Sequence, residues 1–498
     1  VQAQQPELLG VLESDTTNTL FGTYILPVGD QNDDGYDDII VWEYFRAFLF
    51  YGGESFDATP DMIFDSTNGR IDTIGDVNGD GFIDFTMPGR SDKNWRLGLY
   101  YGGPELDTTR DLWFGTDTLN AHGYTVRGDD INLNGTDELL TWEVINQKSV
   151  LLFELGAAAD SVPDLEIVSP NMSVSSYSFG DGIAPGDFNG DGYRDVAISW
   201  RTVPSNSTNG CVYMYWGGPD FDATYDMQIN RMGNFEEGRN NFSMIVEELG
   251  DVNGDSYDDL YASAGVAADD SLGFVYFGGP DIDDVPDVIT ATRDSHARAA
   301  GDVNHDGIAD LIVSYPTSWS SIGHVAIYLG GPEMDSIPDV YFDVRDTPTY
   351  HNWYGLDCSG IGDFNGDGID DFAFSSCLGS VEYVVYVYSG WEDPSGVDYD
   401  YDPTVPSGYS LSHNYPNPFN PATNIQFSLP QRSEVQLVVY NILGAEVARL
   451  IEANLSAGTY TVQWDATDFT GSPVASGIYL YRLSAGTTSL ARKMVLLK

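Results

Sequence analysis

Basic side chains are scarce in this chain. Lys and Arg number 21 against 77 Asp and Glu, a formal net charge of -56, so the surface as a whole repels nucleic acid and anionic membrane. Cysteine is nearly missing as well: three residues exclude a disulfide-built scaffold. The six histidines, His122, His296, His305, His324, His351 and His413, stand apart from one another. No H-E-x-x-H, G-x-S-x-G or phosphate-cradling glycine loop occurs, so the sequence offers no catalytic constellation. Its carboxylates are too numerous for a glycosidase pair to be singled out. No apolar run is long enough for a membrane-spanning helix. The start at Val1 lacks a basic leader and is expected to reflect a removed export signal or a trimmed beginning.

What the chain has in abundance is Asp, Gly (54 residues) and Tyr (31 residues), the composition of a large β-rich protein. The aspartates are ordered. Seven times a version of D-x-N-x-D-G-x-x-D recurs, placing oxygen-bearing side chains at positions 1, 3, 5 and 9 and a turn-forming residue at 6. The first three copies are Asp30, Asn32, Asp34, Asp38; Asp76, Asn78, Asp80, Asp84; and Asp130, Asn132, Asn134, Glu138. The other four are Asp187, Asn189, Asp191, Asp195; Asp251, Asn253, Asp255, Asp259; Asp302, Asn304, Asp306, Asp310; and Asp363, Asn365, Asp367, Asp371. Such a set suits Ca2+, a hard cation taking six to eight oxygens in flexible geometry, better than Mg2+, which keeps its water. Position 12, acidic in a helical EF-hand, is Val41, Met87, Ile198, Val313 or Phe374, within short apolar runs that read as strands. Each loop is therefore expected to join two β-strands.

Around each loop the same unit returns: strand, loop, strand, connection, then a third strand ending in an aromatic-Gly-Gly, as in Tyr100 to Pro104, Tyr215 to Pro219, Tyr276 to Pro280 and Tyr328 to Pro332. Two aspartates four apart follow in six units (Asp57/Asp61, Asp107/Asp111, Asp160/Asp164, Asp222/Asp226, Asp283/Asp287, Asp335/Asp339) and lead into a fourth strand. Four strands per unit predicts an all-β fold with a seven-bladed β-propeller over residues 1–392. The seventh unit lacks the aspartate pair, and the run Leu8 to Leu12 has no other partner, so it is expected to supply the last blade's outer strand.

These repeats resemble the FG-GAP repeats of the integrin α-subunit propeller, including Phe21-Gly22 ahead of the first loop. The resemblance implies calcium held by positions 1, 3, 5 and 9 and by the position-7 carbonyl, here Tyr36, Phe82, Thr136, Tyr193, Tyr257, Ile308 and Ile369, about one ion per blade. Loop three, with Asn134 and Glu138 in place of Asp, carries one fewer negative charge and is expected to bind weakly or not at all. Loop five has Ser256 in place of Gly, a backbone strain more than a lost ligand.

The few basic residues and tryptophans concentrate on connections expected opposite the calcium loops. A ligand face is read there from Trp42, Arg90, Lys93, Trp95, Trp142, Trp200, Arg201, Trp319 and Trp353, since aromatics stack on sugars and Arg pairs with carboxylate or sulfate. The other reading packs these tryptophans between blades and pairs the arginines with local acids; in integrins the same face binds ligand, by analogy only. Cys358 and Cys377 flank the seventh loop on strands expected to pair. That leaves a cross-strand disulfide or two buried thiols, with Cys211 free in either case.

Residues 393–410 read as a linker rich in Asp, Pro, Gly and Ser. Residues 411–498 change character: 6 basic and 5 acidic side chains, and short alternating strands that predict a small immunoglobulin-like β-sandwich. Its opening Asn414-Tyr-Pro-Asn-Pro-Phe-Asn-Pro421, with Gly477-Ile-Tyr479 and the basic end, resembles the type A C-terminal sorting domain of the bacterial type IX secretion system. That implies export through the outer membrane of a Gram-negative bacterium and partnership with the secretion machinery. The expectation is a secreted or cell-surface, calcium-binding adhesion module for an extracellular glycan or protein. A polysaccharide-degrading lyase or hydrolase and a self-associating surface coat are the two alternatives.

Overall fold

The computed structural model describes residues 6–14, 20–43, 45–65, 71–91, 94–114, 125–127, 130–142, 149–155, 162–170, 177–202, 210–230, 241–265, 272–291, 296–315, 324–332, 334–343, 351–378, 382–392, 410–411, 419–429, 433–441, 446–455, 458–464, 466–467, 469, 473–485 and 488–497. The chain divides into two compact units, Val1–Asp393 and Pro394–Lys498. The expected linker lies outside the described residues except for Ser410. Every regular element among the described residues is a β-strand.

The first unit contains seven four-stranded antiparallel sheets. Sheet 1 is typical: Tyr24–Gly29, Asp38–Glu43, Arg46–Phe50 and Met62–Asp65, paired in chain order. The inner strands of sheets 2 to 7 are Asp72–Gly75, Thr125–Arg127, Tyr177–Gly186, Asn241–Gly250, His296–Gly301 and His351–Gly362. Each inner strand touches that of the next sheet, and the last touches the first, so the contacts run in a closed cycle. This is the arrangement of a propeller. Sheet 7 takes its fourth strand from the other end of the unit: Leu8–Glu13 pairs with Glu382–Tyr388, Leu12 opposite Val385. Gly10 suits that place because a Cβ there would stand 2.2 Å from the Phe56 ring.

The continuous apolar runs of the second strands follow from burial on both faces. In Ile39-Ile40-Val41-Trp42, Ile39 and Val41 join a core with Ile361, Ala373 and Val385 of sheet 7. Ile40 and Trp42 turn the other way, into a core with Ile71, Phe85 and Met87 of sheet 2. Strand alternation thus distributes apolar side chains between two neighbours rather than between core and water. Each fully buried side chain of this kind contributes about 2 kcal/mol.

The aromatic-Gly-Gly ending has a steric reason. A Cβ on the first glycine would stand within 2.2 to 2.3 Å of the position-8 carbonyl oxygen of its own sheet at Gly52, Gly102, Gly217, Gly278, Gly330 and Gly390. The aromatic two residues earlier is buried core in most sheets; Tyr100 stacks on Phe85 and Tyr388 on Phe372. The amide of the second glycine, or of Trp391 in its place, donates to the position-2 carbonyl of the preceding sheet's loop. These bonds are Gly218 to Ile131, Gly279 to Phe188, Gly331 to Val252, Trp391 to Val303 and, across the closure, Gly53 to Phe364, all 2.8 Å.

The second unit holds two sheets. One orders Ser410–Leu411, Thr423–Leu429 and Gly458–Trp464; the other orders Glu446–Leu455, Ser433–Asn441, Gly477–Ala485 and Thr488–Leu496. Between them lies a core that includes Phe419, Phe427, Leu437, Trp464 and Tyr481. Phe419, from the Asn-Pro-Phe-Asn-Pro run, is 2% exposed, and its amide donates to the Val495 carbonyl while its carbonyl accepts from Leu497. Phe419 is therefore pinned to the last strand.

Candidate metal-binding loops

Each loop hangs between the first and second strands of its sheet, and its ninth residue opens the second strand. The turn is built by its own carboxylates. In loop 1 the Asp30 carboxylate accepts the amides of Asp34 (3.1 Å) and Gly35 (2.7 Å), Asn32 Oδ1 accepts Asp34 N–H, and Asp34 Oδ1 accepts Tyr36 N–H. The bond from the position-6 amide to position 1 recurs at Gly81 to Asp76, Gly135 to Asp130, Gly192 to Asp187, Ser256 to Asp251, Gly307 to Asp302 and Gly368 to Asp363. Position 6 carries positive φ in all seven, 75° at Ser256 and 87 to 96° at the glycines, so loop five keeps the turn at the cost of a left-handed serine.

Position 9 has a second task. Asp38, Asp84, Glu138, Asp195, Asp259, Asp310 and Asp371 are all 0% exposed. One oxygen of Asp38 accepts the amide of Gln31 and the other the amide of Gly52 at the end of the third strand, 2.7 and 2.8 Å. Gly102, Gly217, Gly278, Gly330 and Gly390 make the same bond to their own position-9 residue. Burial, opposed by these amides and reinforced by the neighbouring loop carboxylates, pushes the position-9 groups up to about 7 at Asp38, Asp84, Asp195, Asp259 and Asp371, and to about 8 at Asp310 and Glu138. A cation in the loop would favour their charged form.

Among the described residues no three His, Cys, Asp or Glu side chains already form a metal cage. What converges is mixed. The Asn365 amide nitrogen lies 3.1 Å from Asp367 Oδ2 and 3.2 Å from Asp371 Oδ1, so a positively polarised N–H stands where positions 5 and 9 meet. Asn32, Asn78, Asn253 and Asn304 likewise donate to their position-5 carboxylates at 2.9 Å. In loop three Asn132 donates to Glu138 at 3.0 Å, and the longer Glu138 still reaches the Ile131 amide at 2.8 Å. Positions 1, 3, 5 and 9 all carry side-chain oxygens, the donor type of a hard divalent cation, which would take the place these Asn N–H groups occupy.

The paired aspartates prove structural. The second of each pair accepts an amide from the end of the third strand, as Asp61 does from Tyr51, Asp111 from Tyr101, Asp164 from Glu154, Asp226 from Trp216, Asp287 from Phe277 and Asp339 from Leu329, all 2.8 or 2.9 Å.

The expected ligand face is corrected in part. Trp42 and Trp200 are 8% and 9% exposed and belong to cores between sheets, so neither is a stacking platform. Half-buried Trp142 lies against Gly180 of the next sheet. Lys93 and Trp319 lie outside the described residues, as do the side chains of Arg90, Trp95, Arg201 and Trp353. The cross-strand disulfide is also corrected. Register sets Cys358 opposite Phe374 and Cys377 opposite Trp353, and Cys358 is a free, buried thiol, as is Cys211.

One cluster was not legible in the sequence. Asp357, fully buried on the inner strand of sheet 7, accepts the Ile25 amide of sheet 1 at 2.8 Å and lies 3.1 Å from His296 Nδ1 and 3.6 Å from Arg298 Nε, both of sheet 6. Burial pushes its pKa up, but Arg298, His296 and the Ile25 amide outweigh that and hold it below the usual value. Its own amide donates to Ser375 Oγ at a strand bulge, as those of Gly182 and Ile245 do to Ser199 and Ser263.

Against known proteins, residues 417–489 match the FlgD Ig-like domain family. The chain is 31% identical over 100 residues to integrin alpha-4 of Xenopus laevis, covering 19% of this chain and 10% of that protein. It is 26% identical over 113 residues to integrin alpha-5 of the same species, covering 21% and 10%. The chain thus spans about a tenth of the length of these curated relatives. Among solved structures, PorZ, an essential bacterial surface component of the type-IX secretion system of Porphyromonas gingivalis, matches 99% of this chain and 59% of its own at 14% identity and a TM-score of 0.37. The Nup133 β-propeller domain of Vanderwaltozyma polyspora matches 76% and 100% at 9% identity and a TM-score of 0.39.

Proposed function

We propose that residues 1–392 form a single seven-bladed, calcium-stabilised propeller that serves as an extracellular adhesion or ligand-binding module. Residues 411–498 act as the sorting domain that delivers it to the surface of a Gram-negative bacterium. The observation that carries this reading is the one hydrogen-bond scheme repeated at all seven loops, in which position-1 carboxylates order a turn of oxygen donors. Positions 1, 3, 5 and 9 with the position-7 carbonyl would hold the ion. Bound calcium would supply charge that lets the buried position-9 carboxylate ionise while still clamping the third strand. A site repeated in every sheet serves the sheet, so calcium is structural here and ligand recognition lies elsewhere.

The integrin likeness supports adhesion, and the strongly acidic body favours a ligand that brings its own cations or basic groups over nucleic acid. The test has two parts. Metal analysis of the full chain after dialysis against micromolar calcium should return about one ion per loop; no retained calcium removes the metal reading. A glycan and matrix-protein array in millimolar calcium should show selective binding that is lost when Arg90, Lys93, Trp95, Arg201 and Trp353 become Ala. Cleavage of an arrayed acidic glycan would establish the enzyme instead.

A further inference from the structure

Position 8 of each loop is not a ligand in the proposed scheme, yet it is an aspartate in four loops, and Asp37, Asp258 and Asp370 each accept a backbone amide of the neighbouring sheet. Asp370 of loop 7 accepts the amide of Asp302, the first residue of loop 6, at 2.8 Å. Asp37 of loop 1 accepts the amide of Asp363, the first residue of loop 7, at 2.9 Å, and Asp37 N–H donates back to the Asp363 carbonyl at 3.2 Å. Space for both carboxylates is made by glycine: a Cβ on Gly301 would stand 2.3 Å from Asp370 Oδ2, and one on Gly362 2.0 Å from Asp37 Oδ2. Asp258 of loop 5 does the same to Asp187 of loop 4 and is also bound by Arg194. Loop 2 breaks the series. Its position 8 is Ile83, whose side chain carries no acceptor and packs beside Gly29, while its carbonyl accepts from Gln31 Nε2 at 3.0 Å.

We propose that loops 6, 7 and 1 take up calcium as one coupled unit, with Asp370 and Asp37 as positioning residues that each orient the first ligand of the loop before it. The coupled run straddles the place where the ring is closed by a strand from the other end of the unit, Leu8–Glu13, rather than by chain continuity. Filling these loops therefore reinforces the junction with the weakest covalent support. The proposal rests on the calcium reading above.

Hydrogen exchange of the full chain across a calcium titration tests it, loop by loop. In the parent protein, loops 6, 7 and 1 should gain protection at a common midpoint and more steeply than a single-site curve. In Asp37→Ala the midpoint of loop 7, in a different sheet from the substitution, should move about tenfold to higher calcium, the effect of one lost charge-assisted hydrogen bond. Loop 4 should stay put, and Asp37→Asn, whose amide oxygen still accepts, should restore most of the shift. Separate midpoints in the parent, or a loop 7 that ignores Asp37→Ala, overturns the coupling while leaving calcium binding intact. No calcium-dependent protection anywhere removes both.

Discussion

The Asp38 carboxylate and the Gly52 amide are 2.8 Å apart, and that bond ties the end of the first loop to the end of the third strand of its sheet. The glycine is there because its missing side chain leaves room for the Asp37 carbonyl, 2.3 Å from where a Cβ would stand. Loop and strand end are thus one assembly, repeated around the cycle.

A methyl group inserted there should be costly. Gly330→Ala would place its Cβ 2.2 Å from the Ala309 carbonyl oxygen, against backbone that cannot rotate away. Urea unfolding of residues 1–393 should show a loss of about 3 kcal/mol. A loss under a few tenths would mean that this strand end is loosely held.

Ser256 offers the opposite change. It adopts φ 75° where six loops have glycine, so Ser256→Gly should relieve about 1 kcal/mol of backbone strain and raise the melting temperature. A fall would show that the Ser256 side chain contributes more than its backbone costs.

Calcium removal should act on one unit only. With chelator the melting temperature of the first unit should drop by several degrees, because the buried position-9 carboxylates would lose the proposed cation that favours their charge. The transition of residues 411–498 should not move. Identical melts with and without chelator would count against the metal reading.

The tail has its own weak point. Phe419 is buried against Trp464 and pinned to the last strand, so Phe419→Ala should cost about 4 kcal/mol in the second unit and leave the first unaltered. Calorimetry resolving two transitions would check both halves of that statement.

Asp357 predicts a pH dependence. Its folded pKa is depressed, so its contribution to stability is complete above the unfolded carboxyl value near 4 and is lost as pH falls through the folded value. Asp357→Asn should therefore melt lower than the parent at neutral pH, with the difference shrinking below about pH 4. A difference that persists in acid would assign Asp357 a packing role without charge.

The loops, the four-strand unit and the role of Leu8 to Leu12 were open to reading because each is a short-range pattern: ligand spacing, apolar alternation and turn glycines repeat within one unit. His296 shows the limit. It looked isolated in the sequence, and its partner Asp357 is 61 residues away on the next sheet. Trp42 looked like a candidate for an open face, yet it sits where sheets 1 and 2 meet. Gln31 occupies a loop position that is apolar elsewhere. It is buried because its side chain accepts the Gly103 amide at 3.1 Å and so replaces an inter-sheet backbone bond.

By itself the sequence determined which residues line each loop and that every unit is a small antiparallel sheet, since spacing and period act through neighbours in the chain. Only the tertiary structure decided what lies between sheets: the destination of Trp42 and Trp200, the free thiol at Cys358, and the reach of Asp37 and Asp370 into the next loop. Those depend on which faces are brought together when the inner strands close into a cycle, and no local pattern encodes a contact between residues that share no turn or strand pair.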